Sequence, residues 1–393
     1  VVSLPLNDTL TNLLIYEGLI YLISKVPAKI EASGITIPDD GLAKAYSGLS
    51  NEILNKISIN TVGKNDNSSI ERFLRGLGIS GRELEEKLES LSPDDRRRKE
   101  KSRVTNYREI LYILNRSPEK LRPITNSIFI GATIRKNQMI IGDLKNDKGL
   151  ALQLLKSERY TGLTSTEHKY TTRQLTTYVS PEVLMLALLG IYSSFVYRSS
   201  NTYYFLFLSP IEIGEILYSN KDARTMLLIR DKAREVLEQI LKRHYNEELV
   251  ALEIYLNAKL QEALAEHNVR SASLLLLRVE QEGQTYKLYE AIPLTILQRE
   301  GRESFAVVEK IIAPDSIVLD RLRNSDSVEY NNLMSVIVGL YRYVILDDRY
   351  GIYQALRELH NAYVKVGGDE KLRWAAKRYE TLLWELGRLE KSL

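Results

Sequence analysis

The stretch from Ser180 to Tyr218, SPEVLMLALLGIYSSFVYRSSNTYYFLFLSPIEIGEILY, constrains the chain most, because fifteen consecutive residues from Val183 to Tyr197 carry no charge. Ser180 is a natural N-cap, Pro181 a natural first helical residue, and Glu182 complements the positive end of the helix dipole. Together these predict a helix that opens at Pro181 and is apolar nearly all round through the uncharged run, and such a helix should be buried. Fifteen residues are too few for a membrane span, and Glu182 and Arg198 close the run at both ends. Tyr203–Leu208 then reads as a buried strand, and Ser209 and Glu212 are spaced as a capping box that opens the next helix. Three elements this apolar require a large body around them.

The rest of the chain supplies that body. Residues 10–25 form a second apolar helix, interrupted by Glu17 and Gly18. Short helical patches follow over 38–82, punctuated by Gly41, Gly48, Gly63, Gly76, Gly78 and Gly81, and Thr61–Ser69 reads as a surface loop. Glu83–Leu91 is helical. Ser127–Leu144 is a hairpin, with SIFIGATI and MIIGDL as strands around Arg135-Lys136-Asn137-Gln138. Lys221–His267 is a long helical stretch with a stripe through Met226, Ile229, Ala233, Val236 and Ile240. Its other face, with Arg230, Arg234, Lys242 and Arg243, is read as solvated. Ala272–Glu280 and Gln284–Ile292 form another hairpin, and Ser304–Ile312 is a strand candidate. Tyr330–Leu346, Tyr350–Val366 and Glu370–Leu389 are three helices joined by short turns, with Asp347-Asp348 expected to cap a helix. The fold class expected is α+β: an N-terminal part over 1–325 with hairpins packed on buried helices and a sub-boundary near 92–105, and a helical bundle over 326–393.

Composition excludes several function classes. The chain has 393 residues and no cysteine, which removes disulfides, thiolate metal sites and a cysteine nucleophile. The formal charge of +3 argues against a wholesale polycation while allowing local basic patches. Tyrosine is abundant, 24 against 6 phenylalanines, and with the Ile, Leu, Glu, Lys and Arg content this suggests a thermophile. No charged-then-apolar leader is visible, so a cytoplasmic location without membrane attachment is expected.

Three segments concentrate cations. SPDDRRRKEKSR carries Arg96, Arg97, Arg98 and Lys99 among six basic residues between Arg96 and Arg103, against Glu100 alone. It is either a charge-balanced connection, given Asp94 and Asp95, or a phosphate-contacting arm. Arg135, Lys136 and Asn137 form a hairpin tip, a shape that fits a nucleic-acid groove or a solvated turn. KSERYTGLTSTEHKYTTR mixes Lys156, Arg159, His168, Lys169 and Arg173 with Tyr160, Tyr170 and several threonines. Cations and hydroxyls suit phosphate oxygens, and tyrosines suit base stacking; the alternative is a Thr-rich surface loop. This segment leads directly into the buried helix, so whatever it grips would rest on a rigid base.

Catalytic motifs are scarce. The chain has no P-loop, no G-x-S-x-G elbow and no H-E-x-x-H; Gly76-Leu77-Gly78 lacks a dinucleotide-binding context, and the four histidines offer no metal spacing. One pattern remains: Asp143-Leu144-Lys145 after the strand MIIG, an acid and a lysine at a strand end as in metal-dependent nucleases, with Asp94 or Asp95 as the second acid. An ordinary strand-end turn explains the same three residues.

The layout, a long SPEVLMLALLGIYSSFVY helix followed by YYFLFLSP, a basic hairpin before it and a helical C-terminal end, resembles the large subunit of archaeal type I-A CRISPR interference complexes. The resemblance covers most of the chain and rests on no catalytic signature. It implies a non-enzymatic protein without cofactor or metal. Such a protein contacts the 5′ end of a guide RNA, reads a short motif in target double-stranded DNA and helps to open the duplex. Its helical end would meet other protein subunits, and cleavage would fall to a separate helicase-nuclease. RNA–DNA pairing would carry the long readout. A metal-dependent nuclease using Asp143 and Lys145, and a purely structural interaction protein, are the alternatives.

Overall fold

The computed structural model describes all residues except 1, 4–5, 7–8, 32–33, 90–103, 122–126, 136–137, 145–148, 157–175, 220, 243–245, 299–304, 314 and 393. The architecture is α+β with a helical C-terminal region. The chain divides into two compact units, the first formed by Val1–Arg230 with Ser273–Pro293, the second by Asp231–Ala272 with Leu294–Leu393.

The first unit is built on two helices that find no polar side to turn outward. Helix α1 (Leu10–Lys25) is buried along nearly its whole length. It follows β1 (Val2–Ser3) and precedes the small strands β2 (Lys29–Glu31) and β3 (Gly34–Thr36). Helices α2 (Gly41–Ser47), α3 (Asn51–Lys56), α4 (Gly63–Gly76), α5 (Arg82–Glu89), α6 (Tyr107–Asn115) and α7 (Pro118–Leu121) come next. Strands β4 (Ser127–Ile128), β5 (Gly131–Arg135), β6 (Gln138–Ile141) and β7 (Thr176–Val179) lead to the second buried helix, α8 (Pro181–Ser194). Ser180 caps α8 as expected, its hydroxyl accepting from the Val183 N–H at 3.3 Å. Helices α1 and α8 cross where Gly18 meets Gly190. A Cβ on Gly18 would collide with the Leu186 carbonyl, and one on Gly190 with that of Leu14. Glycine is required here for close backbone approach.

A buried ion pair locks this crossing. Glu17 and Arg230 are 0% and 1% exposed and are joined directly. The Glu17 carboxylate also accepts from the Ser193 hydroxyl at 3.2 Å and the Leu208 N–H at 3.3 Å, and Arg230 donates to Ser193 at 2.8 Å. Arg230 lies on α10 (Ala223–Leu241), on the face that the sequence reading assigned to solvent. The helical period is right, but the partner that makes the arginine a core residue lies 213 positions away.

Three further expectations change. Helix α8 stops at Ser194 and residues Phe195–Ser199 become β8, because β9 (Thr202–Leu208) offers a ladder to this segment. The expected strand SIFIGATI splits between two sheets: β4 pairs with β3, while β5 pairs with β1 and β6. The expected loop Thr61–Ser69 is instead mostly the first turns of α4, with Asp66 and Ser69 buried.

After α9 (Pro210–Ser219), α10, α11 (Glu247–Leu256) and α12 (Ala258–Glu266), the expected hairpin forms as β10 (Ser271–Glu282) and β11 (Thr285–Leu297), in a sheet ordered β11-β10-β9-β8. In the second unit, the described part of the strand expected over Ser304–Ile312 is helical: α13 (Ala306–Ile311) places Val308, Ile311 and Ile312 on one buried face. It joins α14 (Ile317–Leu322), α15 (Tyr330–Ile345), α16 (Tyr350–Gly367) and α17 (Arg373–Ser392) around a shared core. The boundary expected at 325 falls inside this unit, because Ile317, Val318 and Leu322 share that core with Leu333, Ile337 and Tyr379. Arg349 and not Asp348 is the N-cap of α16, although the Asp348 carboxylate, one residue before it, accepts from the Tyr350 N–H at 3.0 Å. Buried Glu329 accepts from Arg321 Nε at 2.6 Å and from Tyr379 at 3.2 Å. Burial alone would raise its carboxyl, but the Arg321 guanidinium holds it below the usual range.

Stripping one partner from the Glu17–Arg230 pair leaves an uncompensated charge in the core. Arg230→Ala should therefore lower the unfolding free energy by about 3–5 kcal/mol. The double replacement Glu17→Leu with Arg230→Met should restore most of that loss, and chemical denaturation of the three proteins measures both effects.

Candidate nucleic-acid interface

The sheet ordered β1-β5-β6-β7 positions the segments that the sequence reading singled out. Strands β5 and β6 are antiparallel, with Arg135 opposite Gln138 at the tip. Strand β7 runs parallel to β6, with Gln138 opposite Thr176. Gln138 therefore stands between Arg135 and Thr176, the described residues that border 136–137 and 157–175 in the sequence. Lys136, Asn137, Arg159, His168, Lys169 and Arg173 lie outside the described residues, as do Arg96, Arg97, Arg98 and Lys99.

The start of the same segment is fixed in the core, which corrects one assignment. Lys156, expected among the exposed cations, is 5% exposed. Its charge acts on the buried Asp66 carboxyl. Asp66 accepts from the Val62 N–H at 2.9 Å, closing the first turn of α4, and from the Gln153 N–H at 2.8 Å, holding the bend and the short 3-10 turn that end at residue 156. Thr11 on α1 donates to the Leu155 carbonyl at 2.8 Å. Ser69 and Ala151 exchange hydrogen bonds at 3.2 Å. Lys156, which precedes residues 157–175, thus belongs to a polar knot against α4, and Thr176, which follows them, opens a strand in register with the hairpin.

The surroundings of Asp66 are mostly aromatic. Tyr107 and Tyr286 are fully buried, and Tyr203 stacks edge-on against Tyr286 at 5.6 Å. Burial raises the Tyr107 hydroxyl pKa well above its ordinary value, and the Asp66 charge raises it further. Burial likewise pushes the Asp66 carboxyl up, from 3.8 to about 6, although the two backbone N–H groups and Lys156 pull it down. Sequence reasoning missed this cluster because Asp66 lies in a polar run with no apolar stripe to signal burial.

Asp143 follows β6 and is exposed, one residue past Gly142, whose φ of 99° turns the chain out of the strand. Lys145, Asp94 and Asp95 lie outside the described residues. Among the described residues no group of three or more His, Asp or Glu is arranged to hold a metal ion. Nor, among them, is any helix long and apolar enough to cross a membrane.

The raised pKa of Asp66 gives a signed prediction. Between about pH 4 and pH 6 the folded protein holds a proton on this carboxyl that the unfolded chain has released, so its contribution to stability falls as pH rises through that window, by about 3 kcal/mol. Asp66→Asn removes the titration while keeping an acceptor oxygen. Urea unfolding at several pH values should show the variant gaining on the parent by about that amount between pH 4 and pH 7.

No family model matches the sequence, and no solved structure matches the chain. A protein of Archaeoglobus fulgidus, described as an uncharacterized protein, is 34% identical over 395 aligned positions, covering 94% of this chain and 95% of the relative. The alignment spans both compact units, and the chain belongs to the same protein family as this Archaeoglobus fulgidus protein.

Proposed function

We propose that the protein is a nucleic-acid-gripping subunit of a CRISPR RNA-guided DNA surveillance complex, of the type I-A large-subunit kind that its layout resembles. The observation that carries this reading is the register of the β5-β6-β7 edge, where Arg135 and Thr176 flank Gln138. Two cation-rich segments, one bearing Lys136 and the other Arg159, Lys169 and Arg173, adjoin Arg135 and Thr176 in the sequence. The second is tied to the Asp66 knot at its other end. A cationic ribbon on a stiff base suits phosphate backbones and helps to open a duplex beside a short motif, while pairing with guide RNA supplies the long readout. Its partners in this reading are the guide RNA, the target duplex, neighbouring protein subunits and a separate helicase-nuclease.

The test is charge reversal at the sheet edge. Arg135→Glu with Lys136→Glu, and separately Arg159→Glu with Lys169→Glu, should each weaken duplex binding about tenfold or more at low salt and lower the salt dependence by about one ion per cation removed. Lys156 is left in place because it is buried. Unchanged binding in both variants overturns the assignment. Metal-dependent cleavage that disappears in Asp143→Ala would replace it with a nuclease.

A further inference from the structure

The chain's two tryptophans lie on one aspect of α17 and face solvent, Trp374 at 48% exposure and Trp384 at 63%. Tryptophan is ordinarily mostly buried, so two open indoles on one helix need a reason. Each has an arginine four residues on lying over its ring, Arg378 at 5.9 Å from the Trp374 centroid and Arg388 at 4.8 Å from that of Trp384. At 3.6 residues per turn, Trp374, Thr381 and Arg388 form one row along the helix and Lys377, Trp384 and Lys391 the adjacent row. Lys377, Arg378, Arg388 and Lys391 are all exposed. Two acids border these rows: Glu385 is engaged by Lys310 at 2.8 Å, and Glu380 is exposed one turn before Trp384, so four exposed cations stand against one exposed carboxylate. The opposite side, Ala375, Ala376, Tyr379 and Leu386, is buried in the unit's core, so the helix cannot roll to hide the stripe.

We infer that this face of α17 is a binding surface for single-stranded nucleic acid, distinct from the sheet edge proposed above. The charge selects a polyanion. The two rings, about 15 Å apart along the axis, offer stacking platforms with cations between and beside them, the combination that holds unpaired bases and their phosphates regardless of sequence. A duplex keeps its base faces covered and cannot use the rings. A protein partner is a poorer fit, because interface cores are depleted in charge, and this stripe intersperses its aromatics with lysine and arginine and carries no exposed aliphatic residue. Arginine over the indole also adds a second planar cation against which a base can lie.

Because both tryptophans sit on this surface, their emission reports on it directly. Titrating the full-length protein with an oligothymidine of about 10–15 nucleotides should quench tryptophan emission, with a saturable curve that weakens steeply with salt. Lys377→Glu with Arg388→Glu retains both indoles and should weaken the quenching about tenfold or more, at unchanged thermal midpoint. Trp384→Phe should weaken oligothymidine binding in a filter assay less severely, about threefold to tenfold. Arg135→Glu with Lys136→Glu should quench like the parent even where its duplex binding is lost, which separates failure here from failure at the sheet edge. The inference is overturned if oligothymidine leaves the emission unchanged, if a duplex of equal length or poly-glutamate quenches as well, or if the sheet-edge variant abolishes the quenching.

Discussion

A carboxylate in the middle of an apolar helix is the constraint on which the first unit depends. Glu17 on α1 has no access to water, so folding can proceed only to a state that brings Arg230, Ser193 and the Leu208 N–H to it. Those partners come from α8, β9 and α10, so one side chain specifies the meeting of four elements. The Gly18–Gly190 contact makes the approach short enough for these bonds. Such a pair adds little to stability over well-packed apolar residues; its value here is that alternative packings of two nearly uniform apolar helices would leave the charge unpaired. The α1 and α8 sequences alone, greasy on every side, would accept many rotations about their axes.

The second unit uses the same devices in its own core. Glu329 is buried at the start of α15 and satisfied by Arg321 from α14 and Tyr379 from α17. Gly339 and Gly351 let α15 and α16 approach where a Cβ on either would strike the other's carbonyl. A buried acid that recruits distant donors, paired with a glycine contact that sets helix spacing, thus recurs in two independent cores. Both convert non-directional burial into a single geometry, since a hydrogen bond left unmade in the interior costs more than a poorly chosen apolar contact.

Charge in this chain is a poor guide to surface. Lys156 and Arg230 both belong to stretches that look solvated, and both are core residues opposite buried acids. Conversely, the exposed cations of α17 belong to a helix whose sequence looks like an ordinary amphipathic one. The difference lies in contacts more than 80 residues apart, such as Asp66 with the Gln153 N–H. In the proposed reading, polyanion affinity comes from local cations at the sheet edge and on α17 and not from the total of +3.

Local chemistry was sufficient for much of the fold. The α1 helix, the Ser180 cap of α8, the β10–β11 hairpin and the three terminal helices are all readable from periodicity, capping residues and turn signals within a few positions of each element. The hairpin at 131–141 was legible too, as was the apolar character that buries α8. What the sequence could not decide was each outcome set by a remote partner: the change from helix to strand at Phe195, the splitting of Ser127–Arg135 between two sheets, the helix at Ala306–Ile311, the burial of Asp66, Lys156 and Arg230, and the register that brings Arg135 and Thr176 to either side of Gln138. The physical reason is the same in every case. Propensity and pattern act over one or two turns, whereas backbone ladders and buried charges are satisfied only by groups that the folded chain brings from tens to hundreds of residues away.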